Sequence, residues 1–500
     1  MTSLKELVRG VMSLDPAAPA LEFERTWTTW GELNAIIDAV EAILSASNVP
    51  SGTRIGGILR NTPRIAAVII GTITRDRCIV TLNPALPDEK LVADITGLKV
   101  PVVIAETVDW QRPAIAEAVR QVGALGIEIT GDSAEPARVV SPLTGRDFRW
   151  EAEGVGIEML TSGTTGTPKR IPLKAKNFER GILDASAFES RDPAAGPRLS
   201  KAVTILNTPF SHIGGIFGLF VTLSAGRKGC MLDRFRVSDF VDAVQRHQPK
   251  VAGAPPSALR MILDAGVPRE ALSSLVAFRT STAPLDPDLA DQFEDYFGVP
   301  VLQNYGATEF AGGVAGWTLP DFLKTGKQRR GSVGKMLPGI DGRIVDAETG
   351  APLPCGEKGV LELRARHLGD GKSWIRTTDL ARMDDEHYLW ILGRADNAII
   401  RGGFKIIPDD VVKAIEGHPA VLEACVVALP DPRLGQVPAG AYRVKSGQDV
   451  NESELKDYLR ERLTAYQVPV RLLKLEDFPR TPSMKPSQPE LKKLFEAQPA

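Results

Sequence analysis

Nine consecutive residues, Thr161-Ser162-Gly163-Thr164-Thr165-Gly166-Thr167-Pro168-Lys169, hold two glycines, five hydroxyl side chains and one lysine. Glycine lets the backbone turn its N–H groups towards a ligand, and hydroxyls add donors that can follow a moving phosphate. Lys169 closes the stretch with a full positive charge. These residue types suit a loop that holds a polyphosphate. The common phosphate loop G-x-x-x-x-G-K-[ST] is not present, because no Gly-Lys pair follows Gly163 at the required spacing.

A second group, Asn304-Tyr305-Gly306-Ala307-Thr308-Glu309, follows the strand pattern Pro300–Gln303. Tyr305 offers a ring face for a base, Thr308 a hydroxyl for phosphate and Glu309 a carboxylate for Mg²⁺. The same residues would also serve as a helix start capped by Thr308 and Glu309.

Both groups need a sheet to bring them together. Trp30–Ala46 has apolar residues at helical spacing, while Arg54–Arg60, Cys78–Leu82 and Val100–Ile104 read as strands, with a helix at Pro113–Val122. Gly156–Leu160 is a strand feeding the hydroxyl loop. Beyond the loop, strands at Ala202–Leu206, Cys230–Leu232, Lys250–Ala254 and Ser274–Phe278 alternate with helices at Ile213–Leu223, Val237–Arg246, Pro256–Ala265 and Asp286–Phe297. Strands alternating with helices predict an α/β fold with mainly parallel sheets flanked by helices. In such sheets the loops at the carboxyl ends of strands share one crevice, so the two groups can face each other. From about 331 to 393, short apolar runs broken by Asp-Gly, Thr-Gly and Cys-Gly predict a β-rich subdomain. The remainder predicts a small α+β unit with a helix opening at Pro408 and another, capped by Asn451 and Glu454, running through Leu463.

The 500 residues exceed one ordinary core, so at least two domains are expected. With 60 basic and 62 acidic residues the net charge is −2, which favours neither a nucleic acid nor a membrane surface as partner. No apolar run is long enough for a signal peptide or a membrane span, and Cys78, Cys230, Cys355 and Cys425 lie at no metal-binding spacing. A cytoplasmic protein with reduced cysteines is expected, as monomer or homodimer.

The hydroxyl loop and the Tyr-Gly-x-Thr-Glu string together resemble the adenylate-forming superfamily, most closely the acyl-CoA synthetases. The resemblance continues in family order through Arg376-Thr-Thr-Asp379, Gly393-Arg-Ala-Asp-Asn397, Arg401-Gly-Gly-Phe-Lys405 and Pro479–Lys485. It implies that Thr161, Ser162, Gly163, Thr164, Thr165, Gly166 and Lys169 bind the phosphates of ATP, and that Asn304, Tyr305, Gly306 and Thr308 bind its adenosine and α-phosphate. Glu309 would anchor Mg²⁺, Asp379 the ribose hydroxyls, and Arg394 ribose or phosphate. Lys485 would bridge the substrate carboxylate and the α-phosphate. His212, Ser281, Thr282 and Ala283 would line the acid pocket together with Gly306. Gly402 and Gly403 would approach the pantetheine arm of CoA, and Asp396 would be the pivot. The implied domains are 1–393 for adenylation, 394–397 for the hinge and 398–500 for a mobile C-terminal domain.

Several positions depart from the family pattern. Thr378 replaces a usual glycine, Ser281 and Thr282 stand in a segment normally richer in glycine, and Met484 and Pro486 flank Lys485. Proline after Lys485 keeps that lysine out of a helix. The charged stretch Gly71–Arg77, read as part of a long sheet, replaces a small Ala-Gly turn of the family and has no explanation in the sequence. The resemblance implies acid activation to acyl-AMP followed by transfer to CoA. Transfer to an amine or a carrier protein, or nucleotide binding without catalysis, are the competing readings.

Overall fold

The structure is a computed structural model that describes residues 3–161, 169–188, 196–310, 312–395, 397–401, 404–481 and 485–497. Local signals place the helices. Thr29 caps Trp30–Ala46 through a reciprocal capping box with Glu32. Pro113–Val122 and Pro408–Glu416 each carry proline in the first turn, where its missing N–H costs nothing.

The described residues form two compact units, one of residues 3–339 with 366–371 and the other of 340–365 with 372–497. Strands of the first unit run β1 (Pro19–Phe23), β2 (Thr26–Thr29), β3 (Arg54–Ile58), β4 (Cys78–Leu82), β5 (Val102–Glu106), β6 (Leu125–Ile129), β7 (Ala137–Ser141) and β8 (Val155–Thr161). They continue with β9 (Lys169–Lys174), β10 (Val203–Leu206), β11 (Lys228–Met231), β12 (Val251–Gly253), β13 (Ala277–Thr280), β14 (Val301–Ala307), β15 (Gly312–Gly316) and β16 (Gly334–Met336).

One sheet has the order β7-β6-β5-β3-β4-β8-β9, parallel from β6 to β8 and antiparallel at both edges. Strands β3 to β6 are buried end to end, as expected for a sheet covered on both faces. A second sheet runs β10-β11-β1-β2, and a third joins parallel β12-β13-β14 to antiparallel β15 and β16. In the second sheet Glu22 of β1 is buried beside Cys230 of β11. Its oxygens are held by Arg246 at 2.6 Å and His247 at 2.8 Å, an internal ion lock.

The second unit contains antiparallel β17 (Ile340–Val345), β18 (Gly359–Ala365), β19 (Ile375–Met383) and β20 (Tyr388–Arg394). A further sheet, β22-β21-β24-β23, is built from β21 (Ile399–Arg401), β22 (Phe404–Ile406), β23 (Val421–Asp431) and β24 (Gly435–Val444). Strand β25 (Arg471–Lys474) lies parallel beside β24. Among the described residues no helix is long and apolar enough to cross a membrane. All four cysteines are free, and burial pushes the thiols of Cys78, Cys230 and Cys425 up to about 12, which leaves them inert.

The mainly parallel α/β expectation holds, and three local readings are corrected. The strand expected at Ser274–Phe278 lies at Ala277–Thr280, because a short 3-10 turn at Arg269–Leu272 carries Leu275 back to the Leu272 carbonyl at 3.0 Å. The helix capped by Asn451 ends at Arg460, three residues before the expected Leu463. The charged stretch Gly71–Arg77 is the end of a helix, Pro63–Thr74, and its turn, not part of a sheet. Its charges have partners: Arg75 with Asp38 at 2.7 Å, Asp76 with Lys5 at 2.7 Å and Arg77 with Glu41 at 2.7 Å. These pairs fasten that turn to the two N-terminal helices.

Candidate functional site

β8 and β9 pair antiparallel so that Thr161 and Lys169 stand opposite each other in the ladder. Ser162 to Pro168, including the predicted Ser162, Gly163, Thr164, Thr165 and Gly166, lie outside the described residues.

Strands β8 and β9 are anchored by two arginines. Arg54 of β3, 1% exposed, makes a two-pronged bond to Glu158 of β8 at 2.8 and 2.6 Å, and caps the carbonyls of Leu98 and Arg149. Arg170 of β9 donates to the Thr81 carbonyl of β4 at 3.0 Å and to Asp94 at 3.3 Å. Burial pushes the Arg170 guanidinium and the Asp94 carboxyl towards their neutral forms, and their mutual attraction opposes this.

Asn304–Ala307 proves to be strand, not loop. β14 continues through the motif because β15 pairs with it, with a shift of register between Tyr305 and Gly306. Gly306 permits that approach, since a Cβ there would lie 2.3 Å from the Gly312 carbonyl oxygen. Thr308 and Glu309 then start a 3-10 turn, Thr308–Phe310. Asn304 and Tyr305 are half-buried, whereas Glu309 is exposed and makes no hydrogen bond or ion pair among the described residues. A lone exposed carboxylate suits a hard divalent cation.

His212 has the structural role that its position allows. It caps the helix Ile213–Ser224, with Nδ1 accepting the Gly214 N–H at 3.0 Å. Ser281, Thr282 and Ala283 follow β13 and are half-buried. Thr282 takes a φ of 74°, a left-handed conformation that is costly for a β-branched residue. Thr282→Gly should therefore raise stability by about 1 kcal/mol, read by thermal melting, while widening the space beside β13. A lowered melting temperature would show that the Thr282 side chain contributes more in packing than its backbone costs.

The second unit gathers three of the predicted residues. Asp379 of β19 and Arg394 of β20 are partners in register. Lys485 lies near enough to feel both charges: burial and Arg394 push its ammonium down, and Asp379 pulls it up. The Lys485 loop is pinned by Thr481, whose N–H donates to the Lys485 carbonyl at 2.8 Å and whose hydroxyl accepts the Lys485 N–H at 3.3 Å. Thr378 now has an explanation, since its hydroxyl accepts from the Arg394 guanidinium and its carbonyl accepts the Ala395 N–H at 2.7 Å. Gly393 has a φ of 136°, and a Cβ there would lie 2.8 Å from the Asp409 carboxylate. Asp396, Gly402 and Gly403 lie outside the described residues.

Residues 11–371 match the AMP-binding enzyme family and residues 412–485 its C-terminal domain. The chain belongs to the AMP-binding, adenylate-forming enzyme family. Sequence relatives include a sulfoacetate–CoA ligase of Cupriavidus necator, 28% identical over 91% of this chain and 90% of that protein. A probable CoA ligase of Humulus lupulus, CCL5, is 25% identical over 93% of this chain and 88% of its own length. The match to 4-coumarate–CoA ligase-like 9 of Arabidopsis thaliana, 27% identical over 67% of this chain, spans 61% of that relative. In fold the chain is similar to ATP-bound MatB from Rhodopseudomonas palustris, with a TM-score of 0.82, 24% identity and 99% of each chain covered. It is also similar to the amide bond synthetase McbA from Marinactinospora thermotolerans, with a TM-score of 0.78, 22% identity and coverage of 98% and 100%.

Sequence reasoning did not single out Arg279. A cation inside the otherwise apolar strand pattern Ala277–Thr280 was the available signal.

Proposed function

We propose that this protein activates a carboxylic acid with ATP and passes the acyl group to CoA. The observation that carries the reading is the meeting of Asp379, Arg394 and Lys485, in a chain whose family models cover both the AMP-binding part and its C-terminal domain. In the first step a carboxylate oxygen attacks the α-phosphorus of ATP. An O–P bond forms, the bond to the bridging oxygen breaks, and pyrophosphate leaves with its electrons. Lys169 and the hydroxyl loop hold the outer phosphates, and Lys485 offers its ammonium to the two anions that must approach each other. Asp379 accepts hydrogen bonds from the ribose hydroxyls, and Arg394, positioned by Thr378, supports ribose or phosphate. Tyr305 and Asn304 flank the nucleotide. Mg²⁺, when bound, would neutralise phosphate charge, and Glu309 would hold it.

Holding the reactants in line contributes about 7–11 kcal/mol, and a well-placed donor about 2.7–4 kcal/mol. In the second step the sulfur of CoA attacks the acyl carbon and AMP leaves. A pivot at Asp396, between a large domain 1–393 and a mobile domain 398–500, would withdraw Lys485 and present Gly402 and Gly403 for it. The CoA ligases among the sequence relatives support CoA as acceptor.

Acid-dependent exchange of pyrophosphate into ATP tests the first step, and offering CoA or an amine to the preformed acyl-AMP tests the second. Consumption of the adenylate by CoA at least about 10²-fold faster than by amines is expected, a difference of about 2.7 kcal/mol. Preference for an amine would move the protein to amide synthesis, a reading that Met484 and Pro486 around Lys485 keep open.

A further inference from the structure

The carboxyl end of β13 carries polar groups with nothing to bind. Arg279 is half-buried, yet it makes no hydrogen bond, ion pair or ring contact among the described residues. Arg54, Arg60 and Arg170, by contrast, are each held by a carboxylate. Thr282 Oγ1 is enclosed and has no partner among the described residues, on a residue held at a φ of 74°. Folded proteins rarely bury hydroxyls without partners, and backbone strain gathers where a ligand completes the structure.

The strand fixes which way Arg279 faces. Its neighbour Phe278 packs against Phe240 and Phe293, with ring centroids 5.9 and 5.1 Å away, on the side of the helices Val237–His247 and Pro287–Phe297. Side chains alternate along a strand, so Arg279 stands on the opposite face. There its neighbour in register on β12 is Gly253, which has no side chain to fill the space. Asn207, buried just beyond β10, donates to the Gly253 carbonyl at 2.8 Å and ties this edge together. Gln303, the register partner of Thr280, leads directly into Asn304–Glu309. The unpaired guanidinium and the free Thr282 hydroxyl therefore belong to the same carboxyl-end edge as the nucleotide motif, the edge at which open α/β sheets take ligands.

We propose that the acid activated here carries a second anionic group, a carboxylate or sulfonate, bound by Arg279 with Thr282 donating to its oxygens. The inference rests on the adenylation reading above. The hydroxyl alone would serve an alcohol or amide equally well, and Arg279 decides for an anion. A guanidinium matches a two-oxygen acceptor in its plane. The Thr282 side chain, where glycine would leave space, keeps the acid short.

The test compares acids of equal length in pyrophosphate release: succinate against butyrate, glutarate against valerate, and a sulfonated acid beside each. The wild type is expected to favour the dianions by about 10²-fold or more in kcat/KM, because an apolar tail leaves the polar groups unpaired. Arg279→Met should remove that preference mainly through KM for the acid, with KM for ATP unchanged and a normal melting curve. Thr282→Val, which keeps the branched shape, should weaken the dianions by about 10-fold. Equal use of the monoacids, an unaltered preference in Arg279→Met, or a variant whose KM rises for ATP instead would each overturn the proposal. Monoacids turned over well by both proteins leave adenylation standing and remove only the anionic tail. Release with no acid at all removes both.

Discussion

Lys485→Ala is expected to lower adenylate formation by about 10²–10³-fold, the loss of one donor aimed at charge that develops in the transition state. The acid and the triphosphate repel each other, and no apolar side chain can offset that repulsion. The effect should fall on kcat for pyrophosphate release rather than on KM for ATP. Lys485 also predicts a pH dependence. Burial and Arg394 hold its ammonium below the usual lysine range, so the charged form is lost earlier as pH rises. The alkaline limb of the adenylation profile should therefore begin below the free-lysine value of about 10.4. The sign for stability is opposite. A base whose folded pKa is lowered binds fewer protons folded than unfolded, so this term grows more favourable as pH rises towards that range. An unimpaired exchange reaction in Lys485→Ala would remove Lys485 from the chemistry.

Arg54→Met carries the largest expected effect on stability, up to about 3–5 kcal/mol, because it takes the two-pronged partner from the buried Glu158 carboxylate and leaves only the exposed Arg149 at 3.5 Å. The carbonyls of Leu98 and Arg149 lose their donor as well. Glu158 is on the strand that delivers the hydroxyl loop, so the damage reaches function through position rather than contact. The double variant Arg54→Met with Glu158→Leu should regain most of the loss, since removing both charges removes the desolvation cost. Chemical denaturation of the two variants side by side checks this. A double variant no more stable than the single one would show that the pair orders the strands by some other route.

Local signals in the sequence carried much of the fold. The helices Trp30–Ala46, Pro113–Val122 and Pro408–Glu416 have the predicted limits because a cap or a first-turn proline sits at each start. What escaped depended on partners far along the chain. Asn304–Ala307 read as a loop because its pairing with the glycine-rich Gly312–Gly316 leaves no period in the sequence. Gly71–Arg77 looked anomalous until Asp38, Glu41 and Lys5 stood beside its charges. Thr378 departed from the family pattern, and only the Arg394 guanidinium on the neighbouring strand explains it.

The candidate site divides in the same way. Motif order alone proposed Asp379, Arg394 and Lys485, and their common corner follows from the pairing of β19 with β20 and from the loop held by Thr481. Arg279 was not legible as part of a site. The absence of a partner for a buried group is a property of three-dimensional surroundings and has no counterpart in the order of residues.

The central claim is that a carboxylate displaces pyrophosphate from the α-phosphorus. ATP labelled at the α-phosphate, incubated with protein, Mg²⁺ and the dianionic acids, tests it most directly. Label is predicted to appear in an acid-dependent acyl-AMP, matched one for one by pyrophosphate, before CoA is added. Label recovered in ADP, or AMP formed at the same rate without any acid, would contradict it.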